Sequence, residues 1–303
     1  MRTFILDTDW WTDCDDAMAI RLLCNAHRQG RAELLGIDIN ACMSLSVPSL
    51  DVFTRDCGVN VPLGVDHRAT GFDGKPSYQK HLTAVRRPER RNEDAPDGVD
   101  FYRQLLAEAE DDSVEIISIG FMQVLAGLLR RSDTCGLVRR KVKHLWAMAG
   151  KWSEPGGREN NFCVNELSRR GGAEVCAGWP TPITFLGWEV GNSVISGGGL
   201  PEGDLLKLVM TDHGSAAGRS SWDPMTVLLA LADDPAEAGY RCVCGHAEVD
   251  ESDGANHFRE APEGPHRYVV KMREDGFYAA AIDARLPKSA VWPECKDVKK
   301  HCH

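Results

Sequence analysis

The chain has 303 residues, of which 43% are hydrophobic and 26% charged, as in an ordinary globular protein that can bury a sizeable core. Its formal net charge is −10 at pH 7 and its basic residues are scattered, which argues against a nucleic-acid partner, because binding a phosphate backbone requires a concentrated basic surface. The expected ligand is therefore a small molecule.

The sequence pattern predicts neither a secretion signal nor a membrane span. Residues 1–7 reach a charge too early for the apolar region of a signal peptide, and no apolar stretch approaches the length of a membrane span. The 11 cysteines are spread along the chain, and residues 301–303 are expected to form a loose tail rather than part of a zinc site. We expect a cytoplasmic protein with reduced thiols and no membrane partner.

Strands and helices alternate along most of the chain, which predicts a parallel sheet covered by helices on both faces. The apolar spacing predicts a strand at 4–6, a helix from 17, a strand at 32–39, a helix at 47–57, a strand at 61–65, a helix at 98–109, a strand at 113–120, a helix at 121–131, a strand at 142–148, a helix within 160–176, a strand at 182–186, and helices at 201–208 and 225–231.

Two regions depart from this alternation. The polar stretch 67–97 predicts a long surface loop. From 240 onwards the pattern changes to short strands at 240–244, 268–272 and 277–282, with a solvated loop at 250–265. We therefore expect an α/β fold with an open, mostly parallel sheet and a small antiparallel, β-rich C-terminal addition at 240–290. No linker divides the chain, so residues 1–303 are expected to form one domain.

The first predicted loop is unusually acidic. Five carboxylates, those of Asp7, Asp9, Asp13, Asp15 and Asp16, lie within ten residues, between a buried strand and the start of a helix. Helix capping accounts for one or two of them, since Asp is a favoured N-cap. Carboxylates crowded at a strand end repel one another unless a cation lies among them. The loop therefore predicts a divalent metal site.

Several motifs resemble those of the calcium-dependent nucleoside hydrolases of the inosine-uridine-preferring type. The resemblance covers most of the chain, and its motifs are Asp7-Thr8-Asp9 with Asp15-Asp16-Ala17, the segment 119–126, Met148-Ala149-Gly150 followed by 159–162, and Trp222-Asp223-Pro224. It implies a nucleoside-hydrolase fold, hydrolysis of a ribonucleoside to ribose and free base, and self-association as a homodimer or homotetramer.

The resemblance also implies a site. Its Ca²⁺ ligands would be Asp9, Asp16, the backbone carbonyl of Gln123 and Asp223, a set of hard oxygen donors that suits this cation. Asp9 would act as general base on a Ca²⁺-bound water. The ribose would be held by Asp15, Glu159, Asn161 and, less clearly, Asn40.

Two departures from the family pattern concern the same site. Residues 10–14 make the acidic loop two residues longer than usual, which leaves open whether Asp13 replaces Asp15 or Asp16 as a ligand. Trp222 stands where purine-active members carry a histidine that protonates the leaving base. Indole has no titratable proton to give, so another group such as His213, or stacking on the base, must replace that histidine.

Four tryptophans lie in predicted site loops. Trp10, Trp11, Trp152 and Trp222 have faces suited to stacking on a nucleobase. The alternative for each of them is packing in the core. Together they predict an aromatic pocket for the base.

Two alternative functions fit parts of the sequence. One is a binding protein for Ca²⁺ and a ribosyl ligand that has lost catalysis with the histidine. The other is a Mg²⁺-dependent phosphatase of the haloacid dehalogenase type, in which Asp7 would be the nucleophile and Asp9 the acid. The phosphatase interpretation gives no role to Asp13, Asp15, Asp16 or Asp223.

Overall fold

The structure is a computed structural model that describes residues 1–289, so the predicted tail at 301–303 lies outside the described residues. The strands are β1 (Arg2–Thr8), β2 (Ala32–Ile39), β3 (Leu63–Val65), β4 (Val114–Ser118), β5 (Val142–Met148), β6 (Gly157–Arg158), β7 (Ile183–Leu186), β8 (Ile195–Ser196), β9 (Arg219–Ser220), β10 (Tyr240–Val249), β11 (Ala255–Glu260) and β12 (His266–Lys271). The α-helices are α1 (Asp15–Arg28), α2 (Ser46–Asp56), α3 (Ser77–Val85), α4 (Gly98–Glu108), α5 (Gln123–Arg130), α6 (Ser132–Lys141), α7 (Asn160–Cys163), α8 (Glu166–Gly178), α9 (Trp188–Gly191), α10 (Leu205–His213), α11 (Trp222–Leu231) and α12 (Asp275–Asp283).

Ten of these strands form one sheet, in the order β3-β2-β1-β4-β5-β7-β12-β10-β11-β6. The pairs from β3 to β12 are parallel, and β10, β11 and β6 continue the sheet in antiparallel fashion. Strands β8 and β9 form a separate antiparallel pair. The predicted α/β fold, with a mostly parallel sheet and an antiparallel C-terminal part, is confirmed.

Two hydrophobic cores lie on opposite faces of this sheet, because neighbouring residues of a strand point to opposite sides. In β1, Phe4 and Leu6 belong to one core and Ile5 to the other. Helices α1, α2, α10 and α11 pack in the first core, and α4, α5 and α8 pack in the second. Burial on both faces explains why the inner strands are nearly continuous apolar runs.

The stretch 67–97, predicted as a surface loop, contains helix α3. Tyr78 and Leu82 of this helix are buried, and α3 packs against α2 and α10. The helix has few apolar residues between polar flanks, so its period is weak in the sequence. The prediction of a structureless loop is therefore wrong for this segment.

Two predictions in the C-terminal part are also wrong. The segment 277–282 is helical, with Tyr278 and Ile282 buried four residues apart in α12. Its alanine-rich run is apolar at nearly every position and fits a strand period as well as a helical one. The predicted loop 250–265 contains β11, which pairs with β10 and carries exposed charged residues.

A crevice opens at the carboxyl ends of the strands where the order of the sheet reverses. Strand β1 has β2 on one side and β4 on the other, and such switch points are where open α/β sheets bind ligands. Gly120, just after β4, permits a close approach of the loops, because a Cβ there would lie 2.4 Å from the Asp9 backbone nitrogen.

Within residues 1–289, no helix combines the length and the apolar composition that crossing a bilayer requires. That residues 1–303 form one domain stays a prediction.

Candidate active site

A cavity of about 500 Å³ occupies the crevice at the carboxyl ends of β1, β4 and β5. Its acidic lining residues are Asp9, Asp13, Asp15, Asp16, Glu159 and Asp223. They come from the loop after β1, the start of α1, the residue before α7 and the first turn of α11. The fold therefore brings together carboxylates that are more than 200 residues apart in the sequence.

Three of these carboxylates form a compact, buried group. Asp15, Asp16 and Asp223 are 2%, 2% and 5% exposed, and one oxygen of each lies within 4.8 Å of the others. The backbone N–H of Asp223 donates to Asp15 Oδ2 at 3.1 Å, and the hydroxyl of Thr8 donates to Asp16 Oδ1. Burial and mutual repulsion raise the pKa of all three well above the ordinary value. A group of hard oxygen donors with so few protein hydrogen bonds fits a divalent cation.

Asp9 lies beside this group without being part of it. Its Oδ1 accepts a hydrogen bond from the Trp11 backbone N–H at 3.2 Å. Burial, with the charges of Asp13, Asp15 and Glu159, raises the pKa of Asp9 to about 8. The loop turns sharply at the next residue, Trp10, which has a φ of 43° in the left-handed region. This turn lets Asp9 line the cavity while Trp10 points away from it.

Gln123, the predicted carbonyl ligand, does not line the cavity. Its side-chain amide donates to the Asn40 carbonyl at 2.6 Å, and its backbone lies under Gly171 of α8, where a Cβ would be 2.6 Å from the Gln123 nitrogen. The structure thus places Gln123 against α8, whereas Ile119 and Phe121 of the same turn reach the cavity.

Asn40, predicted to bind the sugar, is also outside the cavity lining and fully buried. Its amide donates to Asp7 Oδ1, and its Oδ1 accepts from the Phe121 backbone N–H at 3.0 Å. Tyr102 and Ser118 donate to Asp7 as well. Asn40 therefore links the carboxyl ends of β1, β2 and β4 by hydrogen bonds, and it influences the site by holding these strand ends in position.

Glu159 and Asn161, the other predicted ribose contacts, do line the cavity. The Glu159 carboxylate accepts from the backbone N–H groups of Gly150 and Asn161, and Asn161 donates its amide to the Met148 carbonyl at 2.8 Å. Burial raises the pKa of Glu159 to about 7, although these backbone donors oppose the shift. The turn after β5 and the start of α7 are thereby tied together.

Asp13, the alternative ligand, is paired with a cation instead. Arg219 donates to both of its oxygens, at 2.9 and 2.6 Å, and His213 Nε2 lies 3.7 Å from Asp13 Oδ1. Burial would raise the pKa of Asp13, but the hydrogen bonds and charge of Arg219 outweigh it and hold the pKa below its ordinary value. A carboxylate held in this way is poorly placed to bind a metal as well.

The four predicted tryptophans separate into two pairs. Trp11 and Trp222 line the cavity. Trp10 is fully buried against Phe53 and donates its indole N–H to Ser49 Oγ at 2.8 Å. Trp152 is 6% exposed and lies among aromatic rings of the second core. The structure therefore places Trp10 and Trp152 in the core rather than at a base-binding wall.

The structure also adds lining residues that the sequence did not single out. Trp188 lies at the start of α9, and its backbone carbonyl accepts the indole N–H of Trp222 at 2.8 Å. Lys151, Arg158 and Arg219 bring positive charge to the same cavity. Of these residues, Lys151 could have been found from the sequence, because it directly follows the predicted Met148-Ala149-Gly150 turn. Trp188 and Arg219 lie in segments without a motif.

Comparison with known proteins shows similarity at the level of structure. No family model matches the sequence, and no curated protein matches it. The chain superposes on an inosine-guanosine nucleoside hydrolase with a TM-score of 0.69 and 19% identity, covering 93% of this chain and 98% of that one. A purine-preferring ribonucleoside hydrolase from Gardnerella vaginalis gives 0.69 and 17%, covering 93% and 97%. The type III effector XopQ, solved with adenosine diphosphate ribose, gives 0.65 and 15%, covering 95% and 93%. The chain therefore has the fold of the nucleoside hydrolases.

Proposed function

We propose that the protein hydrolyses the N-glycosidic bond of a ribonucleoside or a close relative, releasing ribose and the free base. The observation that carries the proposal is the buried group Asp15, Asp16 and Asp223 beside Asp9 in one cavity. Two structural neighbours are nucleoside hydrolases, and a third was solved with a ligand that contains ribose. Both facts support a ribosyl ligand here.

We propose Ca²⁺ as the cation. Asp16 and Asp223 would hold it. Asp15, which the resemblance assigns to the ribose, belongs to the same buried group, and Asp9 lies beside this group. Calcium accepts about six to eight oxygen ligands in loose geometry, which suits carboxylates contributed by separate loops. When bound, the cation lowers the pKa of water and offsets the repulsion among these carboxylates.

Asp9 would be the general base. Its Oδ1 is held by Trp11, and no donor in residues 1–289 reaches Oδ2, which leaves Oδ2 open to take a proton from the attacking water. The water oxygen bonds to the anomeric carbon, the bond to the base nitrogen breaks, and its electron pair leaves with the base. A nearby cation lowers the pKa of Asp9, so that the carboxylate is ionised and basic at neutral pH.

The sugar and the base would meet different walls. Asp15, Glu159 and Asn161 offer oxygen and amide groups to the ribose hydroxyls, and negative charge near the ring favours its developing positive charge. Trp11 and Trp222 offer ring faces to the base. The Trp222 indole N–H is already used by Trp188, so Trp222 has no proton for the leaving group. His213 is the imidazole in the described cavity lining, and we propose it as the donor.

The position of Asp7 argues against the phosphatase alternative. A phosphatase nucleophile must reach its substrate, whereas Asp7 is fully buried and accepts hydrogen bonds from Asn40, Tyr102 and Ser118. Asp7 does not line the cavity. Its contacts are those of a carboxyl that holds strand ends together.

The proposal is tested by measuring release of reducing sugar from purine, pyrimidine, nicotinamide and modified ribonucleosides, with calcium and after chelation. We expect calcium-dependent release from at least one of them, and its loss in Asp9→Asn with the calcium content retained. Calcium and nucleoside binding without release would favour the binding-protein alternative. Release that persists after chelation would contradict the role of the cation.

Cytoplasmic location and self-association as a dimer or tetramer stay predictions.

A further inference from the structure

Four basic side chains lie in the wall of this carboxylate-rich cavity: the cations Lys151, Arg158 and Arg219, and the imidazole of His213. Three of these four have a carboxylate partner. Arg158 pairs with Asp253, while His213 and Arg219 share Asp13. For Lys151 Nζ, no carboxylate oxygen within residues 1–289 comes within 4.0 Å. Lys151 is therefore the cation of this wall that is left for a ligand.

The backbone of Lys151 is held firmly at the edge of the cavity. It follows Gly150, whose φ of 85° turns the chain sharply after β5. The buried side chain of Asn256 binds it on both sides: its Oδ1 accepts from the Lys151 N–H at 2.9 Å, and its amide donates to the Lys151 carbonyl at 2.8 Å. These two hydrogen bonds fix the position of the Lys151 backbone, and therefore the point from which its side chain extends into the cavity.

The ammonium group of Lys151 lies against an aromatic wall. Its Nζ is 4.5 Å from the ring centroid of Trp188, and Arg219 stands in the same relation to Trp222, 5.1 Å away. Since Trp222 donates to the Trp188 carbonyl, the two rings and their cations form one connected wall. The negative face of a ring attracts an ammonium group, and because the ammonium has three N–H donors, those that do not face the ring stay available to a ligand in the cavity.

Resting on the hydrolase function proposed above, we propose that the substrate is an anionic ribonucleoside whose negative group is bound by Lys151. The shared chemistry is a pair of anionic oxygens, from a phosphate on the ribose or a carboxylate on the base. A neutral nucleoside would leave this ammonium without an anion in a half-buried site.

The simpler role for Lys151 is to balance the carboxylates of Glu159, which is buried, and Glu189, which is half-buried, since its charge lowers the pKa of both. Glu159 already accepts from the Gly150 and Asn161 N–H groups, and Glu189 Oε1 accepts from Trp152 and Ser153. Such balancing would affect every substrate equally. Recognition of an anion would change one substrate relative to its neutral counterpart, and this difference is what can be measured.

The test compares matched substrates in calcium: inosine with inosine 5′-monophosphate, and uridine with uridine 5′-monophosphate and orotidine. The chains are wild type, Lys151→Gln, Lys151→Arg and the control Lys143→Gln, which removes the same charge from an exposed position on β5. The readouts are kcat/KM for sugar release and Kd by calorimetry. We expect wild type to prefer one anionic member, and Lys151→Gln to lower the ratio of anionic to neutral kcat/KM by about tenfold or more. Lys151→Arg should keep most of that ratio, and Lys143→Gln should leave it unchanged.

The outcomes separate this inference from the hydrolase proposal. A loss confined to the monophosphates identifies a phosphate, and a loss confined to orotidine identifies a carboxylate on the base. Hydrolysis with the same ratio in wild type and Lys151→Gln overturns the inference and leaves the hydrolase function intact. Without hydrolysis, tighter binding of an anionic member that Lys151→Gln abolishes supports the inference while the hydrolase function fails. Without hydrolysis or such a binding difference, both fail.

Discussion

Replacing Asp223 by Asn is expected to change the stability of the protein in opposite directions with and without calcium. Without metal, the buried carboxyls Asp15, Asp16 and Asp223 have pKa values raised by burial and by one another. A carboxyl whose folded pKa lies above its unfolded pKa contributes stability at low pH, and this stability is lost as pH rises through the folded value. The chelated wild-type protein should therefore lose stability as pH rises from about 5 into the alkaline range.

The size of the effect follows from the distances. With oxygens within 4.8 Å of one another, each pair of ionised carboxylates repels by about 3 kcal/mol at an effective dielectric constant of about 20. Proton uptake limits the actual cost, so Asp223→Asn should gain about 2 kcal/mol at alkaline pH in chelator, or roughly 4 °C in Tm. Calcium at about 100 times its Kd should add about 2.7 kcal/mol to wild type, roughly 5 °C, and little to the variant.

The assay is thermal unfolding by calorimetry across this pH range, with excess calcium or with chelator. The variant should melt above wild type in chelator at alkaline pH and below it in calcium. Asp73→Asn, which removes an exposed carboxylate, is the matched control and should leave both Tm values unchanged. A variant that is less stable than wild type by the same amount in both conditions, with normal calcium content, would refute the reasoning.

Four further predictions test individual contacts. Gly120→Ala places a Cβ 2.4 Å from the Asp9 nitrogen and should reduce calcium affinity and the rate of sugar release. The control Gly136→Ala, which has open space around it in α6, should leave both unchanged. Asn40→Ala leaves Asp7 and the Phe121 N–H short of partners and should lower the free energy of unfolding by about 1–3 kcal/mol, measured in urea. Asn40→Asp should lower it at least as much at neutral pH, because it replaces the amide that donates to Asp7 by a second buried carboxyl group. Trp10→Phe should lower Tm by about 5 °C, because it loses core contacts and the hydrogen bond to Ser49. Trp11→Phe should instead raise KM with little change in Tm, because Trp11 lines the cavity. Equal effects of the two substitutions on KM would contradict the placement of Trp10 in the core and Trp11 in the cavity. His213→Gln should lower kcat for nucleosides far more than for 4-nitrophenyl riboside, whose leaving group needs no proton, and equal losses would exclude His213 as the donor.

The sheet could be predicted from the sequence because its inner strands are covered on both faces. Strands β2 and β5 begin and end at the predicted residues, since buried parallel strands are apolar runs bounded by polar turns. Helix α3 and strand β11 could not be predicted in this way. One covers the sheet with only a few buried residues, and the other lies near the antiparallel edge, where exposed charges hide the alternation.

The acidic loop after β1 was also predictable, because its carboxylates directly follow the end of a buried strand, whereas Glu159 and Asp223 were expected only from the family resemblance. The choice between Trp10 and Trp11 was not. These neighbours point to opposite sides of one loop, and the left-handed backbone at Trp10 decides which side each takes. Trp188 and Arg219 come from segments whose sequence has no motif, and only the folding of α9 and β9 over the crevice brings them to the cavity.

The two departures from the family pattern prove to be parts of one structural unit. The longer acidic loop carries Asp13 away from the carboxylate group and onto Arg219, which it holds by two hydrogen bonds. Arg219 in turn lies over the ring of Trp222, the residue that replaces the expected histidine. Trp222 is thus accompanied by the cation Arg219, and the longer loop supplies Asp13, the anion that holds Arg219 in place. The two departures therefore alter one wall of the cavity together, and under the proposed function we expect this aromatic and cationic wall, more than the carboxylates, to determine which nucleoside binds.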